Sequence, residues 1–172
     1  MRFILVDRIL EVQPGRLIRA TKSLTLGEEY LADHFPTFPV MPGVLMLQTL
    51  VEAGAWLLRI TEDFRHSIIV LGEAKNVKYG TFMEPGRRMN VTAEIVELQN
   101  GTASFKGKGE VDGNATVSAR YTLKRYNLGE RDPKLRVVDE AIVRHLRGLH
   151  LTLSRGATKD VSGPVASGSK TT

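Results

Sequence analysis

Apolar residues recur at helical spacing over residues 44–59, a window that contains no proline. The positions that set the period are Val44, Leu47, Val51, Ala55 and Leu58. This pattern predicts one long helix that is apolar nearly all round, which is typical of a helix wrapped by a sheet. Two polar residues, Gln48 and Glu52, interrupt it one turn apart. Pro42 and Gly43 stand where this helix can begin.

Alternating apolar and polar residues before and after this helix predict an antiparallel sheet. Strands are predicted at residues 3–12, 17–26, 68–79, 89–98 and 102–111, and in a last strand that carries Val117, Ala119, Tyr121 and Leu123 on one face. We expect the strand at 68–79 to be buried at its start. Asn100 with Gly101, and Asp112 with Gly113, are hairpin signals. The sequence therefore predicts an α+β fold in which an antiparallel sheet wraps one long central helix.

The pattern changes after Tyr126. Asp132 followed by Pro133 is a typical helix start, and a helical stripe follows at Leu135, Val138, Ile142, Leu146 and Leu149. This predicts an appended amphipathic helix within residues 127–153. Residues 154–172 are rich in Gly, Ser, Thr and Lys without an apolar period, which predicts a disordered tail. Residues 1–126 are then the main domain.

Composition excludes several classes of protein. The 172 residues contain no cysteine, so disulfides and thiolate chemistry are excluded, and a cytoplasmic location is expected. No long unbroken apolar run predicts a membrane-spanning helix. The net charge is +5, of which +2 falls in residues 1–126 and +3 in residues 127–172. No nucleic-acid-binding motif accompanies this charge, so a nucleic-acid partner is not expected.

Six basic residues lie on elements around the predicted helix. They could form a patch for an acidic partner protein, or they could be ordinary solvated surface charges, and the sequence leaves both open. These residues are Arg59, Arg65, Lys75, Lys78, Arg87 and Arg88.

Two groups before the helix suggest chemistry. His34 lies in a segment stiffened by three prolines, and histidine is the usual general base near neutral pH. The backbone N–H of Gly43, at a helix N-terminus, can polarise a carbonyl oxygen and stabilise developing negative charge. The other histidines lack partners at ligand spacing, so no metal site is expected.

The runs His34-Phe35-Pro36 and Pro39-Val40-Met41-Pro42-Gly43-Val44-Leu45 closely resemble the signature of the 3-hydroxyacyl-acyl-carrier-protein dehydratases of bacterial fatty-acid synthesis. The flanking LVDR at 5–8 and EPG at 84–86 occur in the matching order. The resemblance covers residues 1–126 and implies the hot-dog fold.

The resemblance also implies a lyase that converts a 3-hydroxyacyl thioester to a trans-2-enoyl thioester without a cofactor. The implied partner is an acyl carrier protein that bears the substrate. The implied assembly is a homodimer or an oligomer of dimers, with each site built from both chains. His34 is the implied base, and the implied substrate contacts are Phe35, Pro42, Gly43 and Val44.

One departure from the family concerns the acid. The position of Gln48 normally carries the catalytic carboxylate, and the position of Glu52 normally carries a glutamine. Glu52 could take over as the acid, water could do so, or Glu52 could be a glutamate at the helix edge or in an ion pair of the dimer. Three functions therefore remain open: a working dehydratase, a hot-dog protein that binds acyl carriers or acyl chains without efficient turnover, and a thioesterase.

Overall fold

The computed structural model describes residues 4–156 and 158–159. Its strands are β1 (Arg8–Gln13), β2 (Leu17–Ser23), β3 (Ile68–Tyr79), β4 (Arg88–Gln99), β5 (Thr102–Val111), β6 (Asn114–Tyr126) and β7 (Thr158–Lys159). Helix α1 (Gly43–Thr61) separates β2 from β3, and helix α2 (Arg136–Leu153) follows β6. Short 3₁₀ turns occupy Glu29–Leu31, Leu128–Glu130 and Pro133–Leu135.

The strands form one sheet in the order β3-β6-β5-β4-β2-β1-β7. The neighbours from β3 to β1 pair antiparallel, and β7 adds a short parallel pairing to β1. Gly101 and Gly113 have φ of 77° and 80°, the left-handed conformation that tight hairpin turns require. This sheet packs around α1, so the predicted hot-dog fold is confirmed.

Helix α1 is seated against the sheet through a close contact that glycines make possible. Tyr121 stacks on Phe105, and its hydroxyl donates a hydrogen bond of 2.6 Å to the Leu50 carbonyl. A Cβ added to Gly54 would lie 2.7 Å from the Tyr121 oxygen, and one added to Gly107 would lie 2.8 Å from the Tyr121 ring. Both glycines therefore make room for this one ring, which fixes the position of the helix.

By length and composition alone, α1 could cross a membrane, although no such helix was expected from the sequence. Ten of its 19 residues are buried within the protein, among them Trp56, Leu57 and Leu58. The same test is passed by the core helices of soluble proteins, and the contacts of α1 with strands β2 to β6 are those of a core helix.

The first strand begins later than predicted. The prediction placed a strand over residues 3–12, but β1 starts at Arg8. Leu5 and Val6 are almost completely buried, yet their N–H groups point to the Glu52 carboxylate instead of a neighbouring strand. A side chain 46 or 47 residues away in sequence has replaced the strand partner.

The prediction that β3 is buried at its start is wrong for this chain. Among the described residues β3 pairs only with β6 and forms an edge of the sheet. Val70 and Leu71 are 41% and 39% exposed. An edge strand has a free row of backbone donors and acceptors, so these apolar residues lie on a surface open to a further strand.

Helix α2 folds back over the end of α1. Its Leu153 is buried, and Val143, Leu146 and Leu149 pack against the core. Arg147 binds the Asp63 carboxylate at 2.9 Å, just after α1. Strand β7 then pairs with Glu11 and Val12, inside the region predicted to be a tail. Residues 160–172 of that tail lie outside the described residues, so its predicted disorder stays a prediction.

Candidate active site

His34 lies in the loop between the first 3₁₀ turn and α1, where it is half-buried. Its ring centroid is 4.5 Å from that of Phe35, which is 59% exposed. Phe35 has φ of 49°, a conformation uncommon for a bulky residue, and Phe38 N–H closes the turn on the Phe35 carbonyl at 2.8 Å. Met41 N–H donates to the Met83 carbonyl at 2.9 Å. The loop that carries His34 is therefore anchored at both its turn and its end.

The next candidate group is the start of α1. The helix begins at Gly43, its N-cap is Pro42, no side chain of the cap accepts a hydrogen bond, and no acidic residue occupies the first turn. The first N–H groups of a helix have no intrahelical acceptor, so the Gly43 N–H is available to a carbonyl oxygen. A Cβ on Gly43 would lie 3.0 Å from the Tyr79 ring. Glycine at position 43 thus permits the Tyr79 ring to lie close to the start of α1. Sequence reasoning missed Tyr79 as a neighbour of the site.

Val44, Gln48 and Glu52 follow one another at four-residue intervals and share one face of α1. Val44 is 68% exposed, Gln48 is exposed, and Glu52 is half-buried. In the part of the chain that the structure describes, His34 makes no hydrogen bond to Gln48 or Glu52. The structure therefore places His34 beside Phe35, and it places Pro42 beside Gly43 and Val44. Gln48, by contrast, faces outwards.

Glu52 has specific partners of its own. Its Oε2 accepts hydrogen bonds from the N–H groups of Leu5 at 2.7 Å and Val6 at 3.4 Å, and its Oε1 accepts one from Trp56 Nε1 at 3.4 Å. Burial raises the pKa of Glu52, while these hydrogen bonds and the nearby charge of Arg59 act in the opposite direction. The carboxylate therefore ties the N-terminal segment to α1.

Within the described residues no group of three or more His, Cys, Asp or Glu side chains could hold a metal ion.

Comparison with known proteins gives one consistent family. The profile of a family described as a FabA-like domain matches residues 1–120. The 3-hydroxyacyl-acyl-carrier-protein dehydratase FabZ of Bacillus subtilis is 34% identical over 128 residues, which cover 74% of this chain and 89% of the relative. FabZ of Albidiferax ferrireducens is 37% identical over 124 residues, with coverage of 70% and 82%. Helix α2 lies beyond the residues that the family profile matches.

Solved structures share the fold at low sequence identity. The dehydratase heterocomplex ApeI:P from Xenorhabdus doucetiae is similar with a TM-score of 0.63 and 14% identity, covering 77% of this chain and 90% of that one. A Streptococcus mutans protein bound to acetyl CoA has a TM-score of 0.55 and 13% identity, covering 73% and 93%. At this level of identity the similarity establishes the fold alone.

Proposed function

Because the chain belongs to the FabA-like family of 3-hydroxyacyl-acyl-carrier-protein dehydratases, we propose that it is a hydro-lyase of fatty-acid biosynthesis. It converts a 3-hydroxyacyl thioester to a trans-2-enoyl thioester and water. The observation that carries the proposal is the pair of groups before and at the start of α1. His34 stands on an anchored loop, and the Gly43 N–H has no side-chain cap to compete with a substrate carbonyl.

Each group has a defined task in this reaction. The thioester carbonyl accepts a hydrogen bond from the Gly43 N–H, which stabilises the negative charge that forms on its oxygen. His34 removes a proton from C2 of the acyl chain as the general base. The bond between C3 and its hydroxyl oxygen then breaks, and that hydroxyl takes up a proton and leaves as water. Phe35, Pro42 and Val44 are the proposed apolar contacts around the reacting carbons.

The proton for the leaving hydroxyl needs a source other than the residue at position 48. The Gln48 amide can hydrogen-bond the hydroxyl or a water molecule, but it does not transfer a proton at useful cost. Glu52 is four residues further along α1, a rise of about 6 Å, and its carboxylate is already bound by backbone N–H groups. We therefore assign the proton delivery to water held near Gln48, and a structural role to Glu52.

A homodimer, or an oligomer of dimers, is the proposed assembly. Among the described residues strand β3 forms an open edge of the sheet, which carries exposed Val70, Leu71 and Tyr79. Pairing of two β3 edges would satisfy the free backbone groups and cover these side chains. It would also bring a second chain towards the outward face of α1, where Gln48 lies.

An acyl carrier protein is the proposed bearer of the substrate, and three basic residues are the proposed docking contacts. Arg59 is half-buried and lines a cavity between α1 and α2, so it is left out of the proposed docking contacts. Lys75 and Arg87 are paired with acidic neighbours, at 2.9 Å and 2.6 Å. The surface charges that remain for an acidic carrier are Arg65, Lys78 and Arg88. The expected cytoplasmic location stays a prediction.

A second candidate is an acyl-thioester-binding protein without efficient turnover, and the observation that favours it is the amide at position 48. Under this proposal the chain binds substrate at Gly43, but the missing carboxylate slows departure of the hydroxyl. A partner chain with a carboxylate at the matching position would then restore one site.

The test is a hydration assay with trans-2-enoyl thioesters of several chain lengths. The reaction is monitored through the loss of the absorbance of the conjugated thioester. A dehydratase gives reversible conversion, and His34→Ala lowers the rate by ~10²–10⁴-fold without unfolding the protein. Binding without conversion at any length supports the second candidate. Release of free thiol instead of water would contradict both and indicate a thioesterase.

A further inference from the structure

A cavity of about 360 Å³ lies between α1 and α2. The side chains that give it apolar walls are Ile4, Val51, Trp56, Ile69, Leu146 and Leu149. Its polar lining consists of Gln48, Glu52, Arg59 and His145. Because α2 lies beyond the family match, the wall that α2 provides is an addition of this chain. The volume is within the range of small-molecule sites in proteins.

Arg59 is the unusual member of this lining. Its side chain is half-buried, and its Cζ lies 5.3 Å from the centroid of the Trp56 ring. The buried Nε has no hydrogen-bond partner among the described residues. Burial lowers the pKa of Arg59 to about 10, which still leaves the group charged at neutral pH. A buried N–H donor without an acceptor is costly, so an acceptor beside this guanidinium is expected in the cavity.

Glu52 does not supply that acceptor. It is seven residues before Arg59, a rise of about 10 Å along α1, and no ion pair joins the two side chains. Its carboxylate is committed to the Leu5 and Val6 N–H groups. The negative charge of Glu52 reduces the positive electrostatic potential around Arg59, but it does not occupy the N–H donors of Arg59. A dianion such as phosphate is disfavoured in the same cavity because it would face Glu52.

We propose that the cavity between α1 and α2 binds an aliphatic chain that ends in a carboxylate, with the carboxylate on Arg59. The apolar walls suit the chain, and the planar guanidinium matches the two oxygens of a carboxylate. Gln48, at the proposed reaction site, is eleven residues from Arg59, about 16 Å along α1. The carboxylate therefore belongs either to a free fatty acid or to the far end of an acyl thioester substrate. The second source rests on the proposed function.

Calorimetric titration of the full-length protein with decanoate and with 1-decanol tests the binding. Decanoate should bind about tenfold more tightly or better, as expected for hydrogen bonds to a charged group. Arg59→Met should remove this preference, and it should not lower the melting temperature of the free protein, because the Nε donor that it removes is buried without a hydrogen-bond partner in the described part of the chain. Arg144→Met, an exposed arginine of α2 that does not line the cavity, should keep the preference.

Equal binding of the two ligands by the wild type, or a preference that survives Arg59→Met, would overturn the proposal. If Arg59→Met does not fold, Leu146→Phe is the second variant. It narrows the cavity and leaves the charge in place, so it should weaken both ligands. Unchanged affinity for decanoate in that variant would also overturn the proposal.

The source of the carboxylate is identified with enoyl thioesters of equal length that end in a carboxylate or in a methyl group. A higher kcat/KM for the carboxylate-ended substrate, lost in Arg59→Met, assigns the site to the substrate tail. Equal kcat/KM values together with decanoate binding assign it to a free fatty acid. Because the calorimetric test needs no turnover, a failure of the proposed dehydratase activity is distinguishable from a failure of this site.

Discussion

Replacing Glu52 by glutamine and by leucine separates a structural glutamate from a catalytic acid. Glutamine keeps a side-chain oxygen that can accept the Leu5 N–H but cannot deliver a proton, whereas leucine removes the acceptor altogether. A structural role predicts that only leucine is damaging. A catalytic role predicts that both variants lose activity.

The size of the structural effect follows from the contacts. Leu5 and Val6 are 2% and 0% exposed, and their N–H groups lie 2.7 and 3.4 Å from Glu52 Oε2. Glu52→Leu leaves a buried donor unpaired, which costs about 1–3 kcal/mol. In a chain of this size that is a fall in melting temperature of about 2–12 °C. Glu52→Gln should stay within about 1 kcal/mol of the wild type, because the short hydrogen bond to Leu5 can be remade.

The pH dependence has a definite sign. Burial raises the pKa of Glu52 in the folded protein above its value in the unfolded chain. The folded state therefore holds this proton at pH values where the unfolded chain has already released it, and its stability falls as the pH rises through that window. Glu52→Gln has no such titration. Its melting temperature minus that of the wild type should increase from the ordinary glutamate pKa up to the raised one, and then level off.

Thermal denaturation at a series of pH values and a hydration assay measure both sides of this prediction. Glu52→Gln should keep kcat within a few fold of the wild type. A loss of ~10²-fold or more at unchanged melting temperature would refute the structural assignment and make Glu52 the acid. A melting-temperature difference that is flat with pH would refute the argument from burial.

Three further predictions concern His34, position 48 and the packing of α1 against the sheet. His34→Ala should lower enoyl thioester hydration by ~10²–10⁴-fold at an unchanged melting temperature, and a rate near that of the wild type would mean that the base has been misplaced. Gln48→Glu should raise dehydration of a 3-hydroxyacyl thioester by up to ~10²-fold, and no gain in kcat would show that position 48 does not reach the leaving hydroxyl. Gly54→Ala should destabilise the protein by about 1–3 kcal/mol, since its Cβ would stand 2.7 Å from the Tyr121 oxygen. In a double-mutant cycle Tyr121→Phe should relieve part of that cost, with a coupling of about 0.5–3 kcal/mol, and additive effects in denaturant unfolding would contradict the contact.

Much of the fold could be predicted from local patterns. The helix predicted over residues 44–59 is α1 with one residue more before it and two after it, and the strand predicted at 102–111 has the observed bounds of β5. These elements have a clear period and strong turn residues at their ends. The start of β1 was missed because the partner of Leu5 is a side chain 47 residues away. The exposure of β3 was missed because an apolar strand at an open edge has the same pattern as a buried one.

The candidate site was less accessible to sequence reasoning. His34 and Gly43 stand out because prolines and a helix start surround them. By contrast, Tyr79 carries no local signal that it would cover Gly43. Arg59 was predicted to lie on the surface, in a patch for an acidic partner or as a solvated charge, whereas its side chain is half-buried. It lines one cavity with His145, Leu146 and Leu149 of α2, more than 75 residues further along the chain, and no periodicity within α1 encodes that proximity.

The exchange of glutamine and glutamate at positions 48 and 52, relative to the family, is best understood together with the added helix α2. A carboxylate at position 48 would be about 16 Å along α1 from Arg59, whereas at position 52 the rise is about 10 Å. The charge of Glu52 favours the charged form of Arg59 and so offsets part of the cost of its partial burial. The same carboxylate holds the N-terminal segment beside the cavity that α2 closes. Moving the carboxylate back to position 48 would restore an acid at the reaction site. It would also remove the negative charge that favours charged Arg59 and the acceptor that binds the Leu5 N–H. The position of the negative charge on α1 thus links the chemistry expected at one end of the helix to the binding of α2 at the other.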